Sequence, residues 1–168
     1  MKMIFNIISA RQRKDYPLTE LSQNWLEKIQ ESGYRLTGSR RTVVEIIAAS
    51  ERALTPIAVY DLARAQHPGL GLVTVYRTLE KLESLGLIQR VHQPQGCQAF
   101  IAAFSGHQHL LLCSRCGKVE FFDGDNLESL IQEIGDETGF QIDSHWLQLF
   151  GLCSACRSAV AAESASYA

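Results

Sequence analysis

Four of the five cysteines stand in two equal spacings, Cys113-Ser114-Arg115-Cys116 and Cys153-Ser154-Ala155-Cys156. Two intervening residues let both thiolates of a pair converge on one ion, and two such pairs close a tetrahedral shell around Zn(II) at about 2.3 Å per sulfur. The constraint on folding is severe, because the chain must return residues 153 and 156 to the place where 113 and 116 stand. The 36 residues between the pairs exceed a compact zinc ribbon and need structure of their own. Asn126 to Ile134, with Leu127, Leu130, Ile131 and Ile134 at helical spacing, supplies a helix, and Phe140 to Phe150 a strand. The competing reading of CxxC is a redox pair, but the βαβ setting of a thioredoxin-type motif is missing.

A second group of metal-binding side chains precedes Cys113. In His107-Gln108-His109, strand alternation puts both imidazoles on one face, where they can reach one ion. Glu128 sits at the edge of the helical stripe, and His145 lies on the later strand with the parity of Cys153. Three imidazoles and a carboxylate make a mixed N/O set suited to Fe(II), Mn(II), Co(II) or Zn(II). Spacing alone does not join Glu128 and His145 to the histidine pair. HxH is also common on solvated strands, and His67, before Pro68-Gly69, reads as a solvent-facing loop residue.

The rest of the chain is electrostatically different. The net charge of -2 over 168 residues divides into +4 for residues 1 to 100 (13 Lys and Arg, 9 Asp and Glu) and -6 for residues 101 to 168 (3 against 9). Such asymmetry suggests a basic module joined to an acidic one. Leu21, Trp25, Leu26 and Ile29 predict a first amphipathic helix ending at Gly33. A second begins near Thr37 or Ser39 and runs to Ser50; Thr55-Pro56 caps a third, which ends at His67-Pro68-Gly69. A fourth places Val75, Leu79, Leu82 and Leu85 on one face and stops at Gly86. Leu87 to His92 and Cys97 to Ala102 read as a hairpin turned at Gln93-Pro94-Gln95-Gly96. Helices closed by a hairpin make a winged helix-turn-helix, with Val73 to Leu85 as the helix that enters a major groove. Arg40, Thr74, Tyr76, Arg77 and Lys81 are its candidate DNA contacts. The bland alternative is an ordinary helical domain with a solvated face. The apolar run Met3 to Ile8 is far short of a membrane span and lacks the marks of a secretory signal, so a cytoplasmic chain with reduced thiols and no membrane partner is expected.

In this order the residues resemble the ferric uptake regulator (Fur) family of bacterial metal-dependent repressors, which includes iron, zinc, manganese and peroxide sensors. The likeness covers about residues 18 to 157. It rests on Tyr34-Arg35-Leu36-Thr37 with Arg40, on Thr74-Val75-Tyr76-Arg77 with Leu79, on HxH before Cys113-x-x-Cys116-Gly117-Lys118, and on Cys153-x-x-Cys156. The resemblance implies an α+β fold: an N-terminal winged helix-turn-helix domain, then a small α/β dimerisation domain with an antiparallel sheet and a four-cysteine zinc site. It also implies a homodimer that binds double-stranded operator DNA when metal-loaded. Cys113, Cys116, Cys153 and Cys156 match the family's structural zinc ligands, one ion per subunit. His107, His109, Glu128 and His145 fall where the family's dimerisation-domain site has its ligands. Gln108 and Leu110 occupy the hinge-sensor positions, and the linker Glu51-Arg52-Ala53 has no histidine, so the family's hinge-sensor pattern is not met. His107 and His109 serving the hinge with His92 and Cys97 is the alternative assignment, and Cys97 also reads as a small half-buried strand residue. Phe121 and Phe122 stand where a peroxide sensor carries an extra aspartate, which disfavours that subtype.

The expected organisation is a flexible arm (1–17), a DNA-binding domain (18–102), a dimerisation and metal-binding domain (103–157) and a disordered tail (158–168). The expected function is a metal-responsive repressor of metal homeostasis genes with Fe(II) or Zn(II), or else Mn(II), as corepressor; zinc-uptake and ferric-uptake regulation both fit. Two rivals come from other classes. A zinc or thiol enzyme needs an open coordination position or a low-pKa thiol, whereas four cysteines close the shell. An adaptor would use the same modules without binding DNA.

Overall fold

The computed structural model describes residues 18–92, 96, 98–103, 108–124 and 127–165. The arm expected over residues 1–17, Cys97, His107 and the turn residues 93–95 lie outside them.

Four helices come first: α1 (Leu18–Glu31), α2 (Gly38–Ala49), α3 (Pro56–Gln66) and α4 (Leu72–Ser84). Their ends follow local chemistry. The hydroxyls of Thr37 and Thr55 accept from the amides of Arg40 and Ala58, capping α2 and α3, and Pro56 opens α3 where no amide partner is needed. Gly33 and Gly86 take the left-handed conformation that closes α1 and α4. The apolar stripes meet in one core, where Ile29, Val43, Val44, Ile47, Val59, Val75, Leu79 and Leu82 are almost fully enclosed.

Strands β1 (Ile88–His92) and β2 (Gln98–Ala102) pair antiparallel, with Ile88 opposite Ala102 and His92 opposite Gln98. This wing is buried on both sides. Ile88, Phe100 and Ala102 belong to the helical core, while Val91, Ala99 and Ile101 join a second cluster with Leu110, Leu112 and Val119. The continuous apolar run Ala99-Phe100-Ile101-Ala102 is what two-sided burial demands. The wing is therefore a middle layer, with helices on one side and a second sheet on the other.

That sheet has the order β4-β3-β5, from β3 (Gln108–Cys113), β4 (Val119–Asp123) and β5 (Gln148–Gly151). The expected antiparallel pairing holds for β3 and β4, whereas β5 joins β3 in parallel, with Leu110 level with Gln148 and Cys113 with Gly151. Between β4 and β5 lies α5 (Leu127–Thr138), one turn longer than the sequence predicts. The strand predicted over 140–150 shrinks to four residues, its pairing with β3 running from Leu110 to Cys113; residues 140–147 have no regular structure. The expected disordered tail is also corrected: α6 (Ser154–Ala165) takes in residues 158–165. Its alanines favour helix, and Glu163 is held by Arg115 at 2.5 Å. No helix among the described residues is long and apolar enough to cross a membrane.

Candidate metal centre

Backbone geometry, more than side-chain reach, assembles the four thiols. At the end of β3 the amide of Gly117 bonds the carbonyl of Cys113 at 2.9 Å, and the amide of Cys113 bonds that of Lys118 at 2.8 Å. This knuckle turns through Gly117 at φ +73, a conformation that favours glycine. The parallel register carries β5 to the same place, where the Ser114 amide donates to Gly151 at 2.8 Å. Cys153 then precedes the first turn of α6, and Cys156 lies within that turn. The helix N-terminus favours thiolate.

All four sulfurs lie within 4.8 Å of one another. Cys116 and Cys153 are 3.8 Å apart, sulfur to sulfur. A tetrahedron with metal–sulfur bonds of about 2.3 Å has edges of about 3.8 Å, so this pair already stands at ligand spacing and far beyond the ~2 Å of a disulfide. Electrostatics agree. Burial raises the Cys113 thiol, but amide bonds from Cys153, Cys116 and Arg115 outweigh it and bring the group down to about 6. Burial and then the neighbouring sulfurs push Cys156 up to about 12. Four sulfurs this close cannot all ionise alone, and a divalent cation is the natural compensation. The donor set fits zinc.

The histidine group is assembled in part. His109 is buried, level with Phe122 of β4, and its ring centroid lies 5.2 Å from that of His145. Gly124 explains the tight fit: a Cβ there would stand 2.5 Å from Cδ2 and Nε2 of His109. Glu128 and His145 line one open pocket of about 690 Å³ between α5 and the segment after it. Among the described residues, only the four cysteines gather three or more ligand atoms around one point. The alternative ligand His92 ends β1 with its ring 5.2 Å from Trp146, edge on.

The candidate DNA contacts divide in two. On α4, Tyr76 and Arg77 are exposed beside Val73, while Thr74 and Lys81 are half-buried and the Thr74 carbonyl accepts from Thr78 at 2.7 Å. Arg40 is a brace: its guanidinium lies 4.3 Å over the Tyr34 ring and donates to the Arg35 carbonyl at 2.5 Å. The Tyr34 hydroxyl reaches the Arg77 carbonyl at 3.4 Å, which ties the turn before α2 to α4.

Two seams that sequence reasoning missed join the helical part to the metal-bearing sheet. In the first, the linker after α2 pairs on both edges. The Ala53 amide donates to Gly117, the Val119 amide to Glu51, and Leu54 exchanges bonds of 2.9 and 2.8 Å with Phe100 of the wing. The linker, which carries no histidine, grips the cysteine knuckle through its backbone. In the second, the Gln148 side chain bonds both the amide and the carbonyl of His92. A polar residue inside the run Leu147-Gln148-Leu149-Phe150 is its one faint signal in the sequence.

Comparison with known proteins agrees with this architecture. A sequence model described as the ferric uptake regulator family matches residues 31–150. The ferric uptake regulation protein of Cupriavidus metallidurans is 38% identical over 124 residues, 73% of this chain and 86% of that protein. A ferric uptake regulator of Helicobacter pylori, whose structure reveals three functional metal-binding sites, superposes with a TM-score of 0.64 at 22% identity, covering 84% of this chain and 95% of its own. A zinc uptake regulator complexed with zinc and DNA gives 0.63 at 22% identity, covering 87% and 99%. Cysteine knuckle, winged helix and sequence match converge: the chain belongs to the ferric uptake regulator family, whose members are transcriptional regulators and not enzymes.

Proposed function

We propose that this chain is a metal-responsive repressor of metal homeostasis genes that binds double-stranded operator DNA as a homodimer. Residues 18–102 form the DNA-binding domain and 103–157 the dimerisation and metal-binding domain. Cys113, Cys116, Cys153 and Cys156 hold one structural zinc per subunit. His107, His109, Glu128 and His145 take a regulatory Fe(II), Zn(II) or Mn(II), and Arg77, Tyr76, Thr74 and Lys81 face DNA with Arg40 bracing the turn beside them.

The observation that carries this reading is the convergence of four thiols at zinc spacing on a knuckle whose backbone grips the reading head. His107, His109, Glu128 and His145 would hold a second cation, which would supply the positive centre their donors share. His109 is held on β3 against Gly124 and Glu128 stands in the first turn of α5, so His145, outside any helix or strand, is the donor expected to move. Closing a dimer from 1:99 to 99:1 requires about 5.5 kcal/mol of differential binding, within reach of several donor bonds made only in the closed arrangement. The regulators of known structure complexed with zinc and DNA, and with three metal sites, support the same reading.

The test is metal analysis of wild type and His109→Ala beside DNA titrations with Fe(II), Mn(II) and Zn(II). The expected result is loss of one ion per subunit and of the metal response. Full metal content and a full response in His109→Ala would refute the regulatory site. Absence of salt-sensitive, metal-dependent DNA binding in wild type would refute the regulator itself.

A further inference from the structure

We infer that Gln148 and Trp146 form a clamp that transmits the state of the His109–His145 site to the wing, and so to the DNA-reading head. The inference rests on the regulatory site proposed above and adds to it the residues that carry its signal. His145, Trp146 and Gln148 lie within four consecutive residues and grip two different parts of the molecule, the first meeting His109 of β3 and the other two His92 of the wing. His145 places its ring 5.2 Å from buried His109 of β3. Trp146 meets the His92 ring at 5.2 Å, edge on. Gln148 donates from Nε2 to the His92 carbonyl at 2.6 Å and accepts the His92 amide on Oε1 at 3.3 Å.

The amide of Gln148 thus acts as one more strand partner for β1, satisfying both backbone groups of its last residue. Its reach is short, so the position of β5 dictates that of the wing's end. The wing in turn is bound to the reading helix: Arg90 holds Glu83 near the end of α4 through two bonds, 2.6 and 3.0 Å, and Gln98 of β2 at 2.7 Å. A path of contacts and chain neighbours therefore runs from His109 to His145, along the segment to Trp146 and Gln148, across to His92, and through its strand partner Gln98 to Arg90 and α4. The segment has the slack that a moving part needs. Residues 140–147 lie in no strand or helix, and Trp146 is 58% exposed, held by the wing more than by a core. The contact made by Gln148 is with backbone, so no exchange at position 92 substitutes for it.

The prediction concerns coupling, the factor by which metal strengthens DNA binding, and linkage requires the same factor for the effect of DNA on metal affinity. The experiment uses the full-length dimer, Mn(II) as the probe, and a duplex selected from random sequence by the wild-type metal-loaded protein. Gln148→Leu removes both bonds and keeps an apolar strand residue. Its Mn(II) affinity without DNA is expected to stay within about twofold of wild type, as is the DNA affinity of protein without Mn(II), while the coupling factor falls about tenfold. Trp146→Ala is expected to lower coupling by a smaller factor, and His92→Phe, which keeps a ring for Trp146 and the backbone for Gln148, to retain it. Unchanged coupling in Gln148→Leu overturns the proposal. So does a parallel loss of Mn(II) affinity, which would make Gln148 a support of the site and not its transmitter. If Gln148→Leu does not fold, Trp146→Ala against His92→Phe decides alone: equal coupling in both refutes the clamp. His109→Ala tests the other level, since a Mn(II) response retained there refutes the regulatory site and leaves the clamp to be read from Gln148→Leu.

Discussion

The two halves of this molecule solve the problem of stability differently. Among the described residues, the helices, the wing and their connections hold all but four of the buried apolar side chains, those four being Leu110, Leu112, Cys113 and Val119. Among the described residues beyond 103, ten large apolar side chains remain exposed, Leu130, Ile134, Phe140, Leu149 and Phe150 among them. Helix α5 has a clear apolar stripe and no buried residue. On the outer face of the sheet, Leu111 and Leu149 stand side by side, 40 and 44% exposed. A helix or sheet face of this kind needs a partner. The helical half carries its core within itself; the sheet half gathers four thiols and leaves apolar side chains uncovered, which under the function proposed above a metal ion and a second copy of the chain would complete.

The hardest test of that contrast is to remove the metal. Structural zinc contributes on the order of 10 kcal/mol in small domains, so Cys116→Ser is expected to lose the ion and the hydrogen-exchange protection of β3, β5 and α6, while amides of α1 to α4 stay protected. If the helices lose protection together with the sheet, the two halves are one cooperative unit. The stripped wild-type protein should also show a pH signature. Cys113 titrates near 6 when folded, below its ordinary 9.0, so it stabilises the fold fully above pH 9 and loses that contribution as pH falls through about 6. Cys156, pushed up to about 12, works in the opposite sense: the fold favours its neutral form and loses stability as pH rises from 9 toward 12. Thermal unfolding of metal-free protein should therefore shift upward between pH 6 and 9 and downward above it. A flat profile over that range would show that the thiols do not hold this geometry without metal.

Paired substitutions sharpen the contrast at the next level. Leu79→Ala opens the helical core where the side chain is almost fully enclosed, and about 2–5 kcal/mol of stability is expected to go, with bound metal retained. Leu149→Asp on the exposed sheet face should cost the monomer little and weaken the dimer by about tenfold or more, read by sedimentation. A Leu149→Asp protein that stays dimeric at wild-type concentrations would place the dimer contact elsewhere.

How far each half could be read from sequence follows the same division. Thr37, Thr55-Pro56, Gly33 and Gly86 act on their own helices, so local rules place those helices within a residue or two. The cysteines were legible because their chemistry is explicit in a two-residue spacing. What depends on a distant partner was not. β5 is no longer than its pairing with β3, and α6 continues past residue 157 in a stretch that composition alone marks as a tail. His145 does meet His109, which spacing alone did not join, and it does so from an irregular segment and not from the strand on which the sequence placed it. The grip of the 51–54 linker on the knuckle is made by backbone groups, which every sequence shares.

That grip sets up the finest comparison, between two helix caps of similar chemistry. Thr37 caps α2 with a bond of 3.4 Å and Thr55 caps α3 with one of 3.2 Å; each replaced by alanine should cost the helical half about 1 kcal/mol. Their surroundings differ. Thr37 belongs to the turn that Arg40 and Tyr34 brace, whereas Thr55 follows the linker directly and, with Cys113 and Cys116, lines the cleft of about 430 Å³ between linker and knuckle. If the seam only joins two independent halves, both alanine variants release zinc to a chelator at the wild-type rate. If strain crosses it, Thr55→Ala should release zinc faster by up to about fivefold, the equivalent of its whole 1 kcal/mol, and Thr37→Ala should not. Equal acceleration in both would mean that the helical core as a whole, and not the linker, steadies the knuckle, and the division between a self-sufficient half and a dependent one would need to be redrawn around that support.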